Sequence, residues 1–160
     1  MTHPMDPSRV MRLRISHGWF APCGEALVAR CFQILGEQTP GTRSLFPADT
    51  ASLHPRILRT LRQVLSNAHE FRTLEPPLAR LGEKLQRRAG GVEHLLPHAA
   101  AFRDAFICVL AEAGGRSFTH QMEQDWRMLL AGVLGAMIAG AEPARRAACP
   151  PIQRTPLARR

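Results

Sequence analysis

The chain has 160 residues, 45% of them hydrophobic, which suits one domain with a real core. Its formal charge of +8 is carried almost wholly by arginine, since Lys84 is the single lysine. Cys23, Cys31, Cys108 and Cys149 form no C-x-x-C pair, which argues against a zinc ribbon or a dithiol redox motif.

Met1 to Pro7 lacks the apolar core of a secretory signal. The most apolar run, Met128 to Ala141, is shorter than the roughly 18–20 residues a membrane span needs. A soluble cytoplasmic protein without a membrane span is expected.

Helical periodicity dominates, and no stretch alternates long enough to predict a strand. The first helix starts near Asp6-Pro7-Ser8, with Val10, Leu13 and Ile15 apolar, and turns near Ser16-His17-Gly18. The second opens near Pro22, an accepted first-turn position, and buries Leu27, Cys31, Phe32, Ile34 and Leu35. Gly36 to Pro40 ends it, and Phe46-Pro47 closes a corner. A long helix follows to about Asn67; Pro55 in its first turn puts its start near His54. Its stripe is Leu53, Ile57, Leu58, Leu61, Val64 and Leu65.

Pro76-Pro77 opens a shorter helix with Leu78, Leu81 and Leu85 in line, broken at Ala89-Gly90-Gly91. The next opens around Pro97, carries Phe102, Phe106, Val109 and Leu110, and stops at Gly114-Gly115. The last is capped by Thr119 and buries Met122, Trp126, Leu129, Leu130, Val133, Met137 and Ile138. Cys31 and Cys108 read as small buried hydrophobes. The domain division is a tail over 1–11, a helical domain over 12–141, and a disordered Pro/Arg-rich tail over 142–160. Arg9, Arg12, Arg14, Arg145, Arg146, Arg154, Arg159 and Arg160 read as solvated terminal charge.

From about Leu13 to Gly140 this order of helices resembles the single-domain bacterial globins, the globin domain of flavohaemoglobins, and neuroglobins. Three gapless blocks carry the likeness: Pro22 to Phe46, Val64 to Gly82 with its Leu81-Gly82 pair, and Phe102 to Met137 with Phe118-Thr119 and Trp126. The resemblance implies an all-α, globin-like sandwich of six to eight helices. It also implies haem as cofactor and a diatomic gas such as oxygen as ligand, with no enzymatic activity. Phe32 falls where those proteins set an aromatic over the distal pocket, and Phe46 falls on their corner phenylalanine.

The slot for the proximal histidine holds none. It falls on Leu85 when anchored on Leu81-Gly82, on Arg87 when anchored on Gly91-Val92, and on Ala89 when anchored on Phe102. Haem iron needs an axial donor, and none of the three is one. His94 and His98, four apart and therefore on one helical face, are the candidate replacements. His98 is preferred because Pro97 fixes its backbone at a helix start.

By the same resemblance the distal residue is Leu53, with His54 one step away. Phe32, Phe46, Leu53, His54, Ile57, Leu85 and Phe102 would line the haem. His17, His69 and His120 read as surface residues. A second reading is a haem-free globin-fold sensory or interaction module that holds a small apolar ligand or nothing. Its partner would then be another protein. No catalytic triad, phosphate loop or carboxylate pair stands out, and no aromatics interleave the basic ends, so nucleic acid is disfavoured.

Overall fold

The structure is a computed structural model describing residues 5–90 and 92–148; side chains of 92, 93 and 141–148 lie outside what is described. Every regular element among the described residues is helical: α1 (Pro7–Phe20), α2 (Gly24–Gln38), α3 (Pro40–Arg43), α4 (His54–Ser66), α5 (Glu75–Ala89), α6 (Val92–Gly114) and α7 (His120–Ala148). The fold is all-α, as the periodicity predicts. Short 3₁₀ turns at Ala21–Cys23, Ala51–Leu53, Ala68–Leu74 and Gly115–Ser117 lead from one helix into the next.

The helix ends follow from local chemistry. Thr119 Oγ1 accepts the backbone N–H of Met122 at 3.2 Å, the cap expected for α7. Gly90, at φ +82°, sits just past α5 in the left-handed region that favours glycine, and its N–H reaches Gln86 O at 3.0 Å. Arg14 closes α4 from outside: its Nε and Nη2 donate to the carbonyls of Leu65 and Ser66, two of the acceptors a helix C-terminus leaves free.

One continuous core joins all the long helices, with Leu13, Phe20, Val28, Phe32, Leu35, Phe106, Leu110, Trp126 and Leu129 at its centre. The most extensive helix contact is α5 on α7. Two glycines make it. A Cβ on Gly82 would fall on the backbone carbonyl of Met137, and one on Gly140 would meet the backbone of Ala79. The pairs Gly82–Met137 and Ala79–Gly140 run in opposite senses, so the helices cross antiparallel and nearly touch.

A polar node ties the first helix to the last. Asp125 is wholly buried; Arg9 Nε donates to it at 2.9 Å and Arg12 Nε at 2.6 Å, with Gln121 as a further donor at 3.2 Å. Next to it, the Trp126 indole N–H donates to Ser16 Oγ at 2.9 Å, and Ser16 donates in turn to the carbonyls of α1. Burial alone would raise the Asp125 carboxyl, but the hydrogen bonds from Arg12, Arg9 and Gln121 win and hold it below the ordinary 3.8.

Several expectations change. Pro7 to Met11 are the first turns of α1, with Val10 buried, so this segment is not a tail. Arg9, Arg12 and Arg14 are structural ties rather than solvated charge. α1 runs on to Phe20, past Ser16-His17-Gly18. α6 starts at Val92, with Pro97 inside its second turn. The backbone of α7 passes Glu142-Pro143 and stays helical to Ala148. Leu81 and Cys108 are exposed: each sits on the outward side of a helix whose inner face is already filled. Cys149 and residues 149–160 lie outside the described residues.

Candidate functional site

The residues expected to line a pocket do gather. Phe32 on α2 meets Phe46 of the corner edge-on, with ring centroids 5.1 Å apart. Phe46 meets Phe102 of α6 at 6.2 Å, Phe102 meets Phe106 at 6.4 Å, and Phe106 meets Trp126 of α7 at 6.0 Å. On the other flank the His54 ring lies nearly parallel to Phe32, with centroids 6.1 Å apart. Leu53 and Ile57 are half-buried and pack on the same core. These separations are those of rings in direct contact. The six rings therefore form an unbroken file from the corner to the centre of the fold. Trp126 is buried, whereas Phe46 keeps a partly exposed edge because the corner ends at the surface.

Two residues that sequence reasoning passed over hold the corner. The Arg43 guanidinium lies over the Phe32 ring at 5.6 Å from its centroid. The same side chain donates to the carbonyls of Pro47 and Ala48, both at 2.8 Å, and so clamps the chain after Phe46. Thr42 is buried, and its Oγ1 lies 2.8 Å from His98 Nδ1. An arginine three residues before the corner phenylalanine was the available signal for the first. Nothing local foretold the second.

Burial separates the candidate positions for an iron ligand. Of the three positions proposed for the ligand slot, Leu85 is the one that packs inward, against the main core and against Leu95 with Ile138. Arg87 is exposed and Ala89 packs into neither cluster. His94 is exposed. His98 is half-buried and turned to Thr42 on α3, while His54 has its Nε2 on Thr50 Oγ1 at 3.2 Å. One polar atom stands out nearby: Gln86 Oε1, next to Leu85, is buried with no hydrogen-bond partner among the described residues.

These residues do not fit haem as they are arranged. Each ring of the aromatic wall rests on its neighbour, and Leu85 packs into the core where an axial donor would stand. A cavity of about 20 Å³ lies at the inner end of the file, between α1, α2, α4, α6 and α7, where His17, Phe20, Leu58, Leu61, Phe106 and Trp126 line it. Pockets for drug-sized ligands run to hundreds of cubic ångströms. This cavity has room for about one water-sized guest, and its lining is apolar. His17 is half-buried there rather than at the surface; burial, with Arg62 adding, pushes its imidazole below the ordinary 6.5. His69 and His120 are exposed, as expected.

Thiol chemistry has no foothold in this core. Burial, with Cys108 nearby, pushes the Cys31 thiol up to about 12, which keeps it protonated. Among the described residues no group of three or more His, Cys, Asp and Glu side chains could hold a metal ion. No described helix is long and apolar enough to cross a membrane. Compared with known proteins, the chain matches no family profile and no curated protein.

Proposed function

We propose that this chain is a globin-like helical module whose own side chains fill the place of haem, and that it works as an interaction module through its surface. The observation that carries this reading is the file His54–Phe32–Phe46–Phe102–Phe106–Trp126, with neighbouring centroids between 5.1 and 6.4 Å. Each ring packs on the next, and Leu85 adds apolar packing where a globin needs a donor. The small cavity beside Trp126 supports no apolar ligand larger than a diatomic gas.

The test is a haemin titration of the purified full chain, followed between the near ultraviolet and the visible. The expected result is no stoichiometric Soret band beyond that of free haemin, and no rise in melting temperature. Saturable uptake with one haem per chain, and a spectrum altered by His98→Ala, would restore haem and diatomic-gas binding as the function. Uptake that survives both His94→Ala and His98→Ala would equally end the haem-free reading, with the iron held by neither histidine.

A further inference from the structure

We infer that the outer face of α1, together with the arginine row of α4 beside it, docks on an anionic lipid surface. This deepens the interaction reading by naming the partner's chemistry, and it rests on that reading.

Met11, Ile15 and Trp19 recur every fourth residue, so they stand in one strip along the helix. They are 64, 48 and 46% exposed. The opposite face of the same helix, Val10, Leu13, Ser16 and Phe20, is buried. α1 is therefore apolar on two sides, and the fold uses one. Single exposed hydrophobic residues are ordinary, but three large ones in register are a surface that some partner covers.

Charge selects the partner. α1 and α4 lie side by side: Arg14 reaches the end of α4, and Gly24, just after α1, packs against Leu58. Between them the two helices carry six arginines and no carboxylate. Arg56, Arg59 and Arg62 are exposed, and none pairs with a carboxylate among the described residues. On the other edge of the strip Arg9 and Arg12 share the single charge of Asp125, which leaves net positive charge there too.

A second copy docking through this face would set arginine against arginine. A strip that protrudes also offers a partner helix no groove to lie in. A bilayer surface suits both features: three side chains enter the headgroup boundary together, with tryptophan at the depth it favours, while flanking arginines meet lipid phosphates. The contact is interfacial, not a span.

The experiment uses the full chain with two sets of vesicles, phosphatidylcholine alone and phosphatidylcholine mixed with phosphatidylglycerol. The expected result is co-sedimentation with the mixed vesicles, a blue shift of Trp19 emission, and weakening as salt is raised. Trp126 is buried and serves as an unresponsive background. Ile15→Ser should weaken binding roughly tenfold through lost apolar insertion. Arg59→Gln with Arg62→Gln should weaken it on the order of tenfold through lost attraction. All three positions are exposed, and an unchanged melting temperature confirms that each variant is folded.

No binding to the mixed vesicles overturns the inference, and so does equal binding to both kinds. A dimer in solution that Ile15→Ser dissociates also overturns it, because the strip then belongs to a second copy. So does preference for an acidic peptide over the vesicles at equal charge. Vesicle binding and haemin uptake are separate readouts. Failure of the first leaves the haem-free reading standing, and haem uptake sinks that reading without touching the vesicle result.

Discussion

Replacing Gly82 with alanine should destabilise the protein, although alanine is the better helix former. A Cβ there would sit 2.8 Å from Met137 Cα, about 0.6 Å inside the 3.4 Å at which ordinary contact begins, and closer still to the Met137 carbonyl. The obstacle is backbone, so no rotamer change relieves it, and α7 must retreat. The carbonyl oxygen sets the shift, and a retreat of more than about 1 Å forfeits roughly half or more of each dispersion contact. For an interface with as many atom contacts as one buried leucine, about 50 at roughly 0.15 kcal/mol, losing half costs about 4 kcal/mol. The helix-propensity gain returns about 1 kcal/mol. The net loss is about 3 kcal/mol, or about 6–12 °C in melting temperature for a chain of this size. The assay is thermal and urea unfolding followed by circular dichroism at 222 nm. Gly135→Ala is the internal control. It lies on the exposed side of α7, and an added Cβ meets nothing within 4 Å, so the same change should stabilise by up to about 1 kcal/mol. Equal or greater stability of the Gly82→Ala variant would refute the close crossing of α5 and α7.

Asp125→Asn should cost about 1–3 kcal/mol, because the hydrogen bonds from two arginines to a buried carboxylate lose its charge. The depressed carboxyl stabilises the fold above the ordinary 3.8 and loses that contribution as pH falls through its lowered value, so unfolding measured from pH 5 to 2 should flatten in this variant. His17 works in a different window. Its folded value lies below 6.5, so the unfolded chain takes up the proton first; stability is full above 6.5 and falls as pH drops toward the lowered value. His17→Gln should remove that loss between pH 7 and 5 while leaving the acid limb of Asp125 in place, and an unchanged profile would show His17 to be solvated. Phe46→Ala should cost about 2–4 kcal/mol by breaking the contacts with both Phe32 and Phe102 in the file of rings. Urea unfolding checks this, and a cost under about 0.5 kcal/mol would place Phe46 outside the core.

Helix number, helix type and most inner faces are legible in the sequence because they depend on spacing. Apolar residues three and four apart define α2, α4 and α7, and Thr119 caps the helix it was expected to cap. α1 and α6 also show where sequence signals mislead. Ile15 shares the apolar character of Val10 and Leu13 yet faces outward, because a helix with two apolar sides does not say which one the fold will bury. Pro97 reads as a helix start, but α6 carries it in its second turn, since the packing of Leu95 against Leu85 and Ile138 holds the preceding residues in the helix.

The candidate site divides in the same way. That Phe32, Phe46 and Phe102 belong together, and that Leu85 stands where a ligand would be sought, are expectations of the resemblance; the structure brings the three rings into contact. How closely those rings approach one another does not follow from residue order, because it depends on distances between helices of an ångström or two. Those distances are set by distant features: the bare backbones of Gly82 and Gly140, the Asp125 node between α1 and α7, and the clamp of Arg43 on the corner. Each joins residues far apart in the chain or depends on which of several arginines finds a partner. Sequence determined which residues form helices and which of them are apolar; only the tertiary structure decided how closely the helices approach, and so which rings rest on one another.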